Sequence, residues 1–132
     1  MQTSAVTETA NQYPQTVTVR THTFRADVDE KTGSTDSAPG PHDYFDAALA
    51  ACKSLTATWY AKRNGMALER VEAHVERNDS EERKGKYVLV VRLAFHGNLT
   101  DDERARLYAA VEKCPVHKLM TATEVVIETA PL

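Results

Sequence analysis

The chain has 132 residues, 42% of them apolar and 27% charged. That is the make-up of one ordinary soluble globular domain, with no room for a second full core. A net charge of −3 excludes a broad nucleic-acid or anionic-membrane surface, because neutralising phosphates takes an excess of Lys and Arg.

No apolar run is long enough to span a bilayer. Met1 to Ala10 holds Glu8 but no Lys, no Arg and no apolar segment, unlike an ordinary signal peptide. The expected location is the cytoplasm.

Residues 1–15 are polar, rich in Thr and Gln, and interrupted by Pro14. They read as a tail or short arm that pairs only in context, ahead of a single domain over 16–132. From Thr16 to Val28, Val17, Val19, Phe24, Ala26 and Val28 alternate with polar residues. A period of two predicts one long strand or a hairpin, with a break near Thr21 to Thr23. Asp29 to Gly40 is a loop by composition.

Pro41 to Gly65 has helical spacing at Phe45, Ala48, Leu49, Cys52, Leu55 and Trp59. Pro41 and Asp43 suit a first helical turn, and Lys62, Arg63 and Gly65 suit its end. Ala47 to Cys52 is apolar on every side, which predicts a centrally buried helix. Leu68 to Arg77 and Lys86 to Phe95 read as a hairpin about a charged turn, Asn78 to Gly85. The run Val88 to Val91 suggests burial on both faces.

Thr100 and Glu103 form a capping-box pattern ahead of a helix with Leu107, Ala110, Val111 and Cys114 at helical spacing. Pro115 ends that helix or opens a short new one over Val116 to Ala122. Thr123 to Thr129 reads as a terminal strand. The order predicts an α+β fold, with an antiparallel sheet of about 4 or 5 strands wrapped on helices. So small a chain has little left to cover the far side of a buried helix, so a second copy is expected there.

Two cysteines are too few for a disulfide scaffold or a four-thiolate zinc site. They are either buried structural thiols or a working pair in a reducing compartment. Cys52 sits mid-helix among alanines, and its own helix start is too distant to favour the thiolate. Cys114 precedes Pro115. At the N-cap of a new helix its sulfur would meet free N–H groups, which favours thiolate. Lys113, His117 and Lys118 add charge nearby, with His117 one helical turn away.

His42 and Asp43 lie 10 and 9 residues before Cys52, about 15 Å along a straight helix. They reach the thiol only if the first turn folds back. Otherwise they are ordinary helix-start residues. The five His show no metal-ligand spacing, and neither a nucleophile elbow nor a glycine-rich phosphate loop is present.

Two segments speak together. Residues 39–52, PGPHDYFDAALAAC, resemble the start of the central helix in the OsmC/Ohr family, the osmotically induced protein C and organic hydroperoxide resistance proteins. Residues 112–119, EKCPVHKL, resemble the family's second cysteine motif, 62 positions after the first Cys. The resemblance covers roughly residues 16–130.

It implies an intertwined α+β homodimer, with long central helices buried between antiparallel sheets. It implies a thiol peroxidase for organic hydroperoxides, in which Cys52 is the nucleophile and becomes a sulfenic acid. Cys114 is then the resolving thiol that condenses with it, and a dithiol such as a dihydrolipoyl group restores the pair. No metal or prosthetic group is implied. The peroxidase branches carry a Glu ten residues before the first Cys, paired with an Arg from an N-terminal strand. Here His42 holds that place with Asp43 beside it, and only Arg20 and Arg25 precede the helix.

Three functions follow: a two-cysteine peroxidase, a dimeric binding module and a redox sensor without turnover. A binding module would hold an apolar ligand near Cys52, with Phe45, Leu55, Trp59 and Leu119 as walls. Thiol reactivity with recycling by a dithiol separates the first from the others.

Overall fold

The alternation from Gln15 onward builds a hairpin in the computed structural model, which describes residues 1–132. Strand β2 (Gln15–Val19) turns at Arg20–Thr21 into β3 (His22–Ala26), with Val19 opposite His22. Arg20 takes a φ of 55° there, in the left-handed region that tight hairpin turns require. Of residues 1–15, Thr3–Thr7 form strand β1, antiparallel to β2, so the sheet order is β1-β2-β3.

The following loop is organised by a buried carboxylate. Asp27 accepts hydrogen bonds from the Val28 N–H (2.8 Å), the Ser37 N–H (2.9 Å) and the Ser37 hydroxyl (2.6 Å). Hydrogen bonds from the Ser34 and Ser37 side chains hold its carboxyl well below the usual range. The charged form is therefore the one that stabilises the fold. Its contribution is complete above the ordinary carboxylate value and is lost as pH falls below it. The stability gap between wild type and Asp27→Asn should stay constant in urea melts from pH 6 to about pH 5 and shrink from there down to pH 3. A constant gap would exclude this role.

Helix α1 (Pro41–Arg63) is unbroken over 23 residues. The Met66 N–H bonds back to the Ala61 carbonyl at 3.0 Å, and Gly65 supplies the positive φ of 60° that closes the helix end. Strands β4 (Leu68–Asn78) and β5 (Val88–Gly97) form the second hairpin, joined through a single 3-10 turn at Glu82–Lys84. A register shift between Leu68 and Arg70 makes a bulge opposite Gly97.

Helix α2 (Asp101–Val111) opens with the full capping box: the Glu103 N–H donates to Thr100 Oγ1 (3.1 Å) and the Thr100 N–H to Glu103 Oε1 (3.0 Å). Replacing Thr100 by Ala should cost about 1 kcal/mol in chemical denaturation. A change near zero would mean that the Glu103 carboxylate alone caps the helix. Helix α3 (Pro115–Thr121) follows, with Cys114 as its N-cap.

The chain divides into two compact units, Met1–Phe45 and Asp46–Leu132. The core of the second is Ala57, Ala61, Met66, Phe95, Leu107 and Val111, edged by Tyr60, Leu68, Val71, Leu93 and Leu99. Small residues on α1 let the hairpin and α2 approach closely. Phe95 meets Tyr108 edge-on at 4.8 Å, and the Tyr108 hydroxyl donates to the Leu93 carbonyl at 2.9 Å. The Arg104 guanidinium donates to the carbonyls of Phe95 and Gly97, tying α2 to the end of β5.

Three expectations are corrected. The α+β class and antiparallel pairing hold, but the strands form separate sheets of three and two. Residues 123–129 form no strand, and Val125, Val126 and Ile127 are exposed. Their alternation suits a ladder, but no neighbouring strand edge takes up their N–H and C=O groups. Val90 is exposed rather than buried, because a two-stranded sheet is covered on one side. Helix α1 is buried along one face, at Asp46, Leu49, Lys53, Ala57 and Ala61, and this short chain leaves Phe45, Leu55 and Trp59 exposed.

Candidate functional site

A step of four along α1 places Leu49, Lys53, Ala57 and Ala61 on the buried face, and Cys52 comes to its margin. The Val116 N–H of α3 points at Cys52 Sγ (3.5 Å), and the His117 N–H donates to Cys114 Sγ (3.4 Å). Both thiols are free, and Cys52 bears electrostatically on Cys114. Pro115 is responsible for the local geometry. It fixes the first helical position, and Cys114 is left extended at φ −61° and ψ 141°.

The expected N-cap geometry of Cys114 is present, but the expected electrostatic outcome is not. Cys114 is fully buried, and burial pushes its thiol above the ordinary value. The His117 N–H pulls the other way, the adjacent Cys52 adds to the rise, and the Lys53 charge opposes it. The His117 ring meets Lys53, with its Nδ1 3.1 Å from Lys53 Nζ.

Cys52 lines an apolar cavity of about 640 Å³ with Ala48, Ala51, Leu55, Thr56, Trp59, Lys113, Pro115 and Val116. Two of the four expected walls, Leu55 and Trp59, are among these residues. Leu119 is exposed on α3 and Phe45 is half-exposed; neither lines the cavity. His42 and Asp43 occupy the first turn of α1, which does not fold back. Asp43 Oδ2 accepts the Gly40 N–H at 2.8 Å. Arg25 is engaged by Glu8 through two bonds, Nε to Oε1 at 2.8 Å and Nη2 to Oε2 at 2.9 Å.

Two polar residues of α1 escaped the sequence reading. Asp46 accepts from Arg77 Nε (2.7 Å) and from the Tyr87 hydroxyl (2.7 Å), which fastens the helix to the β4–β5 hairpin. Burial and the Asp46 carboxylate push the Tyr87 phenol up to about 12. Lys53 is buried beside Cys52, and its Nζ donates to the Val111 carbonyl at 2.9 Å. The available signal was a charged residue inside an apolar helical run, where burial demands a partner.

No three His, Cys, Asp or Glu side chains come together to hold a metal ion, and no helix is long and apolar enough to cross a membrane. The chain thus joins an antiparallel α+β fold to two free thiols, one of them on the wall of an apolar cavity.

The chain belongs to the OsmC-like protein family, whose model matches residues 33–130. Its fold is shared with the OsmC-like protein of Mycoplasma pneumoniae, at 19% identity and a TM-score of 0.74 over 92% of this chain and 86% of that one. It is shared with the organic hydroperoxide resistance protein of Elizabethkingia anophelis, at 20% identity and a TM-score of 0.64 over 91% and 86%. The organic hydroperoxide resistance protein OhrB of Bacillus subtilis aligns at 21% identity and a TM-score of 0.59 over 92% and 90%. No curated protein matches the sequence.

Proposed function

We propose that the protein is a two-cysteine thiol peroxidase for organic hydroperoxides, with hydrogen peroxide as a second substrate. The supporting observation is the placement of a partly exposed free thiol, Cys52, on the wall of an apolar cavity, with a second free thiol, Cys114, at the start of the same short helix whose Val116 N–H meets Cys52 Sγ. The names of the relatives in fold, organic hydroperoxide resistance proteins, support the same reading.

In the proposed cycle, the Cys52 thiolate attacks one peroxide oxygen and the O–O bond breaks. The other oxygen leaves with a proton as an alcohol, and Cys52 becomes a sulfenic acid. Cys114 sulfur then attacks Cys52 sulfur. The S–S bond forms, the S–O bond breaks, and the hydroxide leaves as water with the Cys114 proton. An external dithiol, a dihydrolipoyl group in this proposal, reduces the disulfide by thiol exchange. The cavity's Leu55 and Trp59 suit the organic part of the peroxide.

The proposed working form is a cytoplasmic homodimer, in which a second copy covers the exposed side of α1 at Leu55 and Trp59. The test is consumption of cumene hydroperoxide by the pure protein with dihydrolipoamide, alongside hydrogen peroxide. Many turnovers per protein are expected. No turnover from a protein whose two thiols are shown reduced at the start would overturn the proposal.

A further inference from the structure

Lysine is almost never fully buried without partners, because its charge must leave water. Lys53 is 3% exposed. An ammonium has only protons to offer, so it donates to the Val111 carbonyl (2.9 Å) and to His117 Nδ1 (3.1 Å). Val111 is the last residue of α2, and His117 lies in the first turn of α3. Lys53 therefore bridges the two ends of the short turn that carries Cys114. The neighbouring residue, Cys52, receives the Val116 N–H from the same turn.

The charged and titratable groups around Lys53 are few. They are Glu112 at the end of α2, whose Oε1 is 4.0 Å away on a solvent-exposed side chain, His117 on α3, Cys114 at the turn and Cys52 on its own helix. No carboxylate makes a close pair with the ammonium, and its charge favours the Cys114 thiolate.

We propose that Lys53 is a positioning residue for disulfide closure: its ammonium holds the Cys114 turn against Cys52 and supplies the positive charge that lets the buried Cys114 act as a thiolate. This rests on the two-thiol reading above. Lys53 is neither consumed nor altered in the closing step. The charge matters because the attacking sulfur must first lose its proton inside an apolar site, which burial opposes.

The test uses the whole protein and no peroxide. An aromatic disulfide, dithiobis(nitrobenzoate), reacts with Cys52 and releases one thionitrobenzoate. Cys114 sulfur then attacks Cys52 sulfur, the protein disulfide forms and a second thionitrobenzoate leaves. The second release, followed from pH 6 to pH 10, reads Cys114 alone. Lys53→Gln keeps a donor for the Val111 carbonyl but removes the charge, and Lys53→Met serves if Gln does not fold.

The expected result is an unchanged first release, a second release roughly tenfold slower at pH 7, and a profile moved to higher pH. Lys53→Arg should keep the wild-type profile. A second release that follows the wild-type profile in both neutral variants overturns the proposal. So does a Lys53→Arg protein displaced as far as Lys53→Gln, since the effect would then be packing. A wild-type protein that releases only one equivalent removes the two-thiol reading, and Lys53's role goes with it. Loss of peroxide turnover with two releases intact would strike the peroxidase reading alone.

Discussion

Cys52→Ser should remove hydroperoxide consumption, with a fall on the order of 10³-fold or more, because the proposed covalent nucleophile is gone. Cys114→Ser behaves differently. It consumes about one equivalent of peroxide in a burst, then slows to the rate at which an external thiol attacks the sulfenic acid. A 1,3-diketone should label Cys52 in that variant, and mass spectrometry reads the adduct. The contrast depends on the geometry: both free thiols meet the start of α3, yet only Cys52 lines the apolar cavity. Equal residual turnover in the two variants would contradict the assigned roles.

Gly97→Ala is expected to be the most damaging single methyl group in the chain. Gly97 has a φ of 143°, and a Cβ there would lie 2.1 Å from the Ala67 carbonyl oxygen and 3.0 Å from the Glu69 nitrogen. Both obstacles are backbone, so no side chain can rotate away. The bulge between Leu68 and Arg70 must open, and the Arg104 bond to the Gly97 carbonyl (3.2 Å) is disturbed with it. The combined strain should cost about 3 kcal/mol. For a chain of this size that corresponds to a melting temperature lower by about 10 °C. Scanning calorimetry at one fixed protein concentration checks it, since self-association alters the apparent value. A drop under about 2 °C would show that the strand end yields more easily than its geometry implies.

Local signals in the sequence carried far. Thr100 with Glu103 and Cys114 with Pro115 mark the starts of α2 and α3, because caps are satisfied by residues three or fewer positions away. The β2–β3 and β4–β5 hairpins follow from alternation and turn composition. Long-range partners were not legible. Nothing near Asp46 announces Arg77 and Tyr87, 31 and 41 residues on, and nothing near Lys53 announces His117, 64 residues on. The tail segment 123–129 shows the limit of periodicity: Val125 and Ile127 alternate well, yet a strand exists only where another edge accepts its hydrogen bonds. At Cys114 two physical effects compete. The helix-start cue is local and visible in the sequence, whereas burial is a property of the assembled core, and burial prevails.

The full enclosure of Cys114 also bears on chemical selectivity. A neutral thiol with no solvent-facing surface is a poor target for stray oxidants, alkylating agents and heavy metals, all of which favour an accessible thiolate. In the proposed cycle its electrophile is the oxidised Cys52 sulfur, met at an effective molarity that no dissolved reagent approaches. That cycle would separate reach from reserve. One sulfur would sample the surroundings, and the other would stay chemically silent until its neighbour has reacted.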